Sequence, residues 1–236
     1  MSSFRPRIAI VGRFAASTSA LRFAAVVNAR ALLEAVWAAG GDPVTLLPVE
    51  GVDWTERLVG YDGVLLPGGG DLDPATYGAP SRHESVYDVD AVQDAVDLDL
   101  ARVALATGIP LLAICRGLHI VNVLRGGSLM QNLPVHHRHH EHDVLFDRAH
   151  TRFGVAGPSV RASCYHHQSL DRLGEGVTVV ARATDGVPEA VLIDAPGWAI
   201  GVQWHPEDTA ASDPDQAALF AELVRQVGSW SRSSRR

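Results

Sequence analysis

The chain has 236 residues, 47% of them hydrophobic and 20% charged, enough to bury a substantial core and to exclude a disordered or fibrous protein. Its 20 basic residues are all arginine and are outnumbered by 27 acids, giving a net charge of -7 that argues against a general binder of nucleic acid or anionic membrane. Two cysteines, Cys115 and Cys164, make no disulfide framework, and no run of about 18 apolar residues occurs, so a reduced, cytoplasmic setting without a membrane span is expected.

The amino terminus, Met1 to Arg7, is short and polar and lacks the apolar segment of a signal peptide. Ile8 to Val11 reads as a buried strand, and Leu21 to Ala39 carries apolar residues at helical spacing until Gly40-Gly41 stops it. Val44 to Leu47 and Gly63 to Leu66 are the next strands, the second ending at Pro67-Gly68-Gly69-Gly70. A helix is predicted over Val92 to Thr107, with Asp94, Asp97 and Asp99 toward solvent and Gly108 as its stop. The strand Ile109 to Ile114 then runs through Cys115 into a helical pattern over Leu118 to Leu124. Alternation of this kind implies an α/β fold, a mostly parallel, doubly wound sheet with helices on both faces. Val177 to Ala183, Ala190 to Ile193 and Ala199 to Gln203 are closely spaced strands that suggest an antiparallel extension, and Pro214 to Val227 is a closing helix. No linker or repeat divides the chain, so residues 1–228 read as a single domain and 229–236 as a disordered tail.

In an open parallel sheet, chemistry collects outside the carboxyl ends of the strands. One strand ends in Gly68-Gly69-Gly70-Asp71, where missing side chains let backbone N–H groups approach a ligand. Another ends in Ala113-Ile114-Cys115-Arg116-Gly117, a cysteine form of the sharp strand-to-helix turn that presents a nucleophile above a sheet. A helix N-terminus favours a thiolate, but a lone cysteine on an apolar strand is more often an inert core residue, so a base is required. Gly201-Val202-Gln203-Trp204-His205-Pro206-Glu207 supplies one: His205 and Glu207 are two residues apart at a strand end and face the same side, so the carboxylate can orient the imidazole. A strand-end surface histidine beside a solvated acid is the alternative for this segment.

Together these blocks resemble the class I glutamine amidotransferase superfamily, and within it the branch of γ-glutamyl-γ-aminobutyrate hydrolases. The resemblance spans Ile8 to about Val227 and also rests on Leu65 to Pro74, Gly126-Gly127-Ser128-Leu129, Tyr165-His166-His167-Gln168 and Asp185-Gly186-Val187-Pro188-Glu189-Ala190. It implies a flavodoxin-like sheet and a Cys115, His205, Glu207 triad, with no metal and no cofactor. It implies an oxyanion hole from the N–H groups of Arg116 and Gly70, in preference to Gly69. Gly69, His119, His166, His167 and Gln168 would contact the substrate. The implied partner is a small γ-glutamyl compound whose amide is cleaved through a thioester, and a homodimer is left open. Two departures stand out: Ala113 replaces the usual Gly two residues before the nucleophile, a small steric change, and His119 replaces the usual Gln four residues after it, which bears on the substrate. The alternatives are a glutaminase subunit that passes ammonia to a separate synthase, and a non-enzymatic binding module on the same fold.

Eleven histidines are the compositional excess, and six of them, His136, His137, His139, His140, His142 and His150, fall in one stretch. Their irregular spacing and the interleaved Arg138, Glu141 and Asp143 read as a solvated polar loop near the site rim rather than a metal cage. For Cys164 to Gln168 the alternative to a substrate-contacting segment is a turn with solvated histidines. Glu189 could face the pocket or lie on an exposed strand face, and Cys164 reads as structural.

Overall fold

The computed structural model describes residues 5–135, 137–148 and 150–234, so His136 of the histidine stretch lies outside the described residues. In chain order the elements are β1 (Arg7–Val11), β2 (Arg13–Ala15), β3 (Ala25–Val27), α1 (Arg30–Ala38), β4 (Asp42–Leu46), α2 (Trp54–Arg57), β5 (Gly63–Leu66) and α3 (Ala91–Thr107). They continue with β6 (Leu111–Ile114), α4 (Arg116–Leu124), β7 (Leu129–Met130), β8 (His137–Phe146), β9 (Ser159–His166) and β10 (Ser169–Leu170). The last elements are β11 (Val177–Ala183), β12 (Pro188–Ile193), β13 (Ala199–Val202) and α5 (Pro214–Ser234).

Nine strands form the central sheet in the order β4-β1-β5-β6-β13-β12-β11-β8-β9. The run from β4 to β13 is parallel, and the pairs from β13 to β9 are antiparallel. Successive side chains of a strand point to opposite faces, and the parallel strands are apolar on both. Ile8, Ile10, Leu65 and Leu112 pack with Leu32 of α1 and Phe220 of α5 on one face. Ala9, Val64, Leu66 and Leu111 pack with Leu100 of α3 and Leu118 of α4 on the other. The doubly wound sheet with its antiparallel extension is therefore as the alternation of elements implies.

Four expectations need correction. The helix expected over Leu21 to Ala39 begins only at Arg30, because Ala25–Val27 pairs instead with β2, as suits the β-branched Val26 and Val27. Asp94 and Asp97 are not on the solvent side: both are buried against Arg116, and of the three only Asp99 reaches solvent, half-buried. The histidine stretch is not a loop, since His137–Phe146 is the ten-residue strand β8, paired along β9. The closing helix continues through Ser234 into the segment read as a disordered tail, with Trp230 packed against the core.

Candidate active site

Cys115 sits at the N-cap of α4 with φ 49° and ψ -104°, left-handed backbone that a side chain rarely adopts and that costs roughly 1–3 kcal/mol. Tertiary contacts hold it there. Its N–H donates to the Val202 carbonyl of β13 at 2.8 Å, and its own carbonyl accepts from Leu118 and His119 in the first turn of α4. Gly117 permits the turn, because a Cβ there would collide with the Leu66 carbonyl of β5. Ala113, the departure noted above, is completely buried in the strand and the elbow forms around it.

His205 follows β13 and is tethered by its N–H to the Ser163 carbonyl of β9 at 2.8 Å. Its Nδ1–H donates to Glu207 Oε1 at 2.8 Å, which orients the ring and fixes which nitrogen is left over, Nε2. Burial works against the imidazolium, but the charges of Cys115 and Glu207, with hydrogen bonds to both, hold the His205 pKa well above its ordinary value. Gly68 is required beside it, since a Cβ there would lie 2.5 Å from His205 Cε1. His205 and Glu207 are therefore paired and largely buried, and the surface reading of the two does not hold.

A small cavity over Cys115 is bordered by Gly69, Gly70, Arg116, His119, His166 and Gln168. The oxyanion and substrate residues of the sequence reading thus share one wall. His119 is buried, and its Nε2–H donates to Gln203 Oε1 at 2.8 Å, while the Gln203 amide reaches Cys115 Sγ at 3.7 Å. Burial lowers the His119 pKa to about 4, so it is a neutral donor at neutral pH. His167 Nε2 bonds Asp71 at 2.9 Å, and His166 turns away toward Glu189, which is completely buried. The solvated-turn reading of Tyr165 to Gln168 and the exposed-face reading of Glu189 are both overturned by this burial.

Beyond His205 lies a wider cleft of about 470 Å³, lined by Arg13, Asn28, Leu32, Gly68, Tyr165 and Glu207 among others. Three parts of the site escaped sequence reasoning. Gln203 stands two residues before His205 at the same strand end, and that spacing is the available signal. Asp71, which fixes His167, closed the glycine run in the same way. The third is the Arg116 side chain, whose guanidinium is buried between Asp97 and Asp94, the latter at 2.6 Å. Asp94 also accepts the Asp73 N–H at 2.9 Å, so one carboxylate ties the glycine loop to the elbow helix.

The family model for Peptidase C26 matches residues 6–207. The chain belongs to the Peptidase C26 family. A Mycobacterium tuberculosis protein, "Putative glutamine amidotransferase Rv2859c", is 38% identical over 81% of this chain, which spans 64% of that relative's length. "Gamma-glutamyl-gamma-aminobutyrate hydrolase" of Escherichia coli O157:H7 is 33% identical over 81% of this chain and 83% of its own. Among solved structures, a glutamine amidotransferase from Thermotoga maritima superposes with a TM-score of 0.65 at 16% identity, covering 95% of this chain and 99% of that one, which supports the C26 chain's fold.

Proposed function

We propose that this C26 protein is a cysteine-dependent hydrolase that cleaves the γ-glutamyl amide bond of a small γ-glutamyl compound, γ-glutamyl-γ-aminobutyrate being one such compound. The observation that carries the reading is Cys115 on its strained elbow together with His205 oriented by Glu207 at 2.8 Å. Cys115 thiolate attacks the γ-carbonyl, and the N–H groups of Arg116 and Gly70, or Gly69, hold the oxyanion. His205 Nε2–H donates its proton to the departing nitrogen as the C–N bond breaks, leaving a γ-glutamyl thioester and a neutral amine. Water gives a proton back to His205 as it attacks the thioester, and collapse of the intermediate breaks the C–S bond, releases glutamate and restores the Cys115 thiolate beside protonated His205. His119 and the His166 to Gln168 segment border the acyl side, and the 470 Å³ cleft beyond His205 is where an amine larger than ammonia would leave.

The relatives named as glutamine amidotransferases favour a second reading, a glutaminase that supplies ammonia to a synthase. The purified chain alone, offered glutamine and a panel of γ-glutamyl amines with glutamate release measured, decides between them. The proposal expects turnover of γ-glutamyl amines without a partner. Glutamine hydrolysis that needs a synthase would replace it with the second reading, and inertness toward every substrate would leave a binding module in a reducing, cytoplasmic setting.

A further inference from the structure

On the antiparallel side of the sheet, three imidazoles and a thiol converge on one buried carboxylate. Two β-bulges create the arrangement. His139 has φ 55°, and the β8–β9 register shifts between Arg138 and His140. The extra residue reverses the alternation of β8, so His137 before it and His142 after it share a face although five positions separate them. In β9, Cys164 and His166 are buried on the same two-residue period. Glu189 lies at the second irregularity, where β11 pairs Arg182 with Pro188 and Ala181 with Ala190 and skips it. A bulge re-aims a side chain in this way.

The hydrogen atoms of this cluster do not balance among protein groups alone. His166 Nδ1 lies 2.9 Å from the Gln168 carbonyl, which only accepts, so Nδ1 carries the hydrogen. The other nitrogen, Nε2, faces Glu189 Oε1 at 3.3 Å, is buried and makes no hydrogen bond. His137 sets both nitrogens against carboxylates, Nε2 on Asp185 at 2.8 Å and Nδ1 on Glu189 Oε1 at 3.1 Å. His142 Nε2 stands 3.4 Å from the same Oε1 and 3.5 Å from Cys164 Sγ. Three ring nitrogens thus crowd one oxygen that has two lone pairs, while Glu189 Oε2 makes no hydrogen bond.

A single cation between them would resolve the crowding. We propose that His137, Cys164, His166 and Glu189 form a binding site for a divalent transition-metal ion, zinc by the chemistry of its donors, with His142 at its mouth. The four donor atoms lie within 4.8 Å of one another, whereas tetrahedral zinc with bonds of about 2.0–2.3 Å spaces its ligands by roughly 3.3–3.8 Å. Small side-chain rotations close that difference. One thiolate, two imidazoles and a carboxylate suit zinc or cobalt and disfavour magnesium or calcium. The outer groups are in place as well: the Gln168 carbonyl and the Asp185 carboxylate hold the far nitrogens of His166 and His137, the anchoring that ligating histidines require. His142, less buried than the other donors, offers the route of entry. The spacing within 136–142 could not reveal the site, because that stretch supplies one ligand of the four and the rest come from β9 and β12. On binding, the Cys164 S–H bond breaks as the metal–sulfur bond forms, and the thiol proton and any second imidazole proton pass to solvent.

The test uses the full chain carrying Cys115→Ala, in which Cys164 is the sole thiol, so its outcome is independent of the hydrolase reading. Titrated with cobalt(II) after chelator treatment, this protein is expected to bind one equivalent and to show a thiolate-to-cobalt charge-transfer band that zinc abolishes. Adding Cys164→Ser should remove the band, and adding Glu189→Gln should weaken cobalt binding by about tenfold or more. A Cys115→Ala chain with no such band at saturating cobalt, or a Cys164→Ser chain that binds with undiminished affinity, would overturn the site. Should the added variants fail to fold, alkylation of Cys164 in the Cys115→Ala chain gives the same reading: zinc must slow it at least about tenfold, and equal rates with and without zinc reject the proposal.

Discussion

Cys115 and Cys164 are both buried, yet the backbones that carry them differ. Cys115 stands at the end of a parallel strand in a left-handed conformation, held by β13, β5 and the buried Arg116 network. Cys164 lies in β9 opposite the β8 bulge, where burial and the nearby Glu189 push its thiol far up from the ordinary range. The first region uses packing to sustain strain at one atom. The second uses two bulges to gather polar side chains from three strands. A thiol's function therefore follows from the element that carries it more than from its burial.

The largest expected effect breaks the first region. Cys115→Ala should lower hydrolysis by at least about 10⁴-fold while the melting transition and circular dichroism stay native-like. Substantial residual turnover would remove the nucleophile from Cys115. Next in size is the buried ion network. Asp97→Leu leaves the Arg116 guanidinium with one carboxylate and should destabilise the chain by about 3–5 kcal/mol in urea unfolding. The exposed Asp143 to Arg161 pair on β8–β9 offers the contrast: Asp143→Asn should change stability by no more than about 0.5 kcal/mol, and equal effects of the two variants would erase the distinction.

A change of pH acts on the two regions in opposite senses. The His119 pKa is lowered to about 4 by burial, so between about pH 6.5 and 4 the unfolded chain takes up a proton that the folded chain refuses. Stability falls across that window by about 3 kcal/mol, and His119→Gln should flatten the loss. Bonds to Glu189 and Asp185 raise the His137 pKa against its burial, so its contribution is fully present below about pH 6.5 and lost as pH rises through the raised value. Urea midpoints measured from pH 4 to 8 on the chelator-treated wild type and His119→Gln variant check the acid limb, and ring-nitrogen chemical shifts of His137 in the same metal-free chain check the other. An unchanged acid limb in His119→Gln would show that this histidine is not the buried neutral group.

Much of the first region is legible in the sequence. A glycine run, a cysteine elbow and a His-Pro-Glu strand end are local patterns, and alternating apolar runs place all three at one edge of a parallel sheet. What was not legible depends on partners far along the chain. Asp94 and Asp97 look like ordinary solvent-facing helix residues until Arg116, about twenty positions later, is seen to need two counterions. Histidines 137 to 142 look like a loop because their bulge disguises the period of two. The Leu21 to Ala39 pattern hid a short strand because Val26 and Val27 fit either period until β2 supplies a partner.

Asp94 has one further consequence. Its carboxylate holds the Asp73 N–H with one oxygen and the Arg116 guanidinium with the other, so the glycine loop and the elbow helix share an anchor. Thermal displacement of either wall carries the other with it. The gap between the Gly70 and Arg116 amides can then stay constant while the pair drifts together, and the gauge of the proposed oxyanion hole is set by a carboxylate outside it.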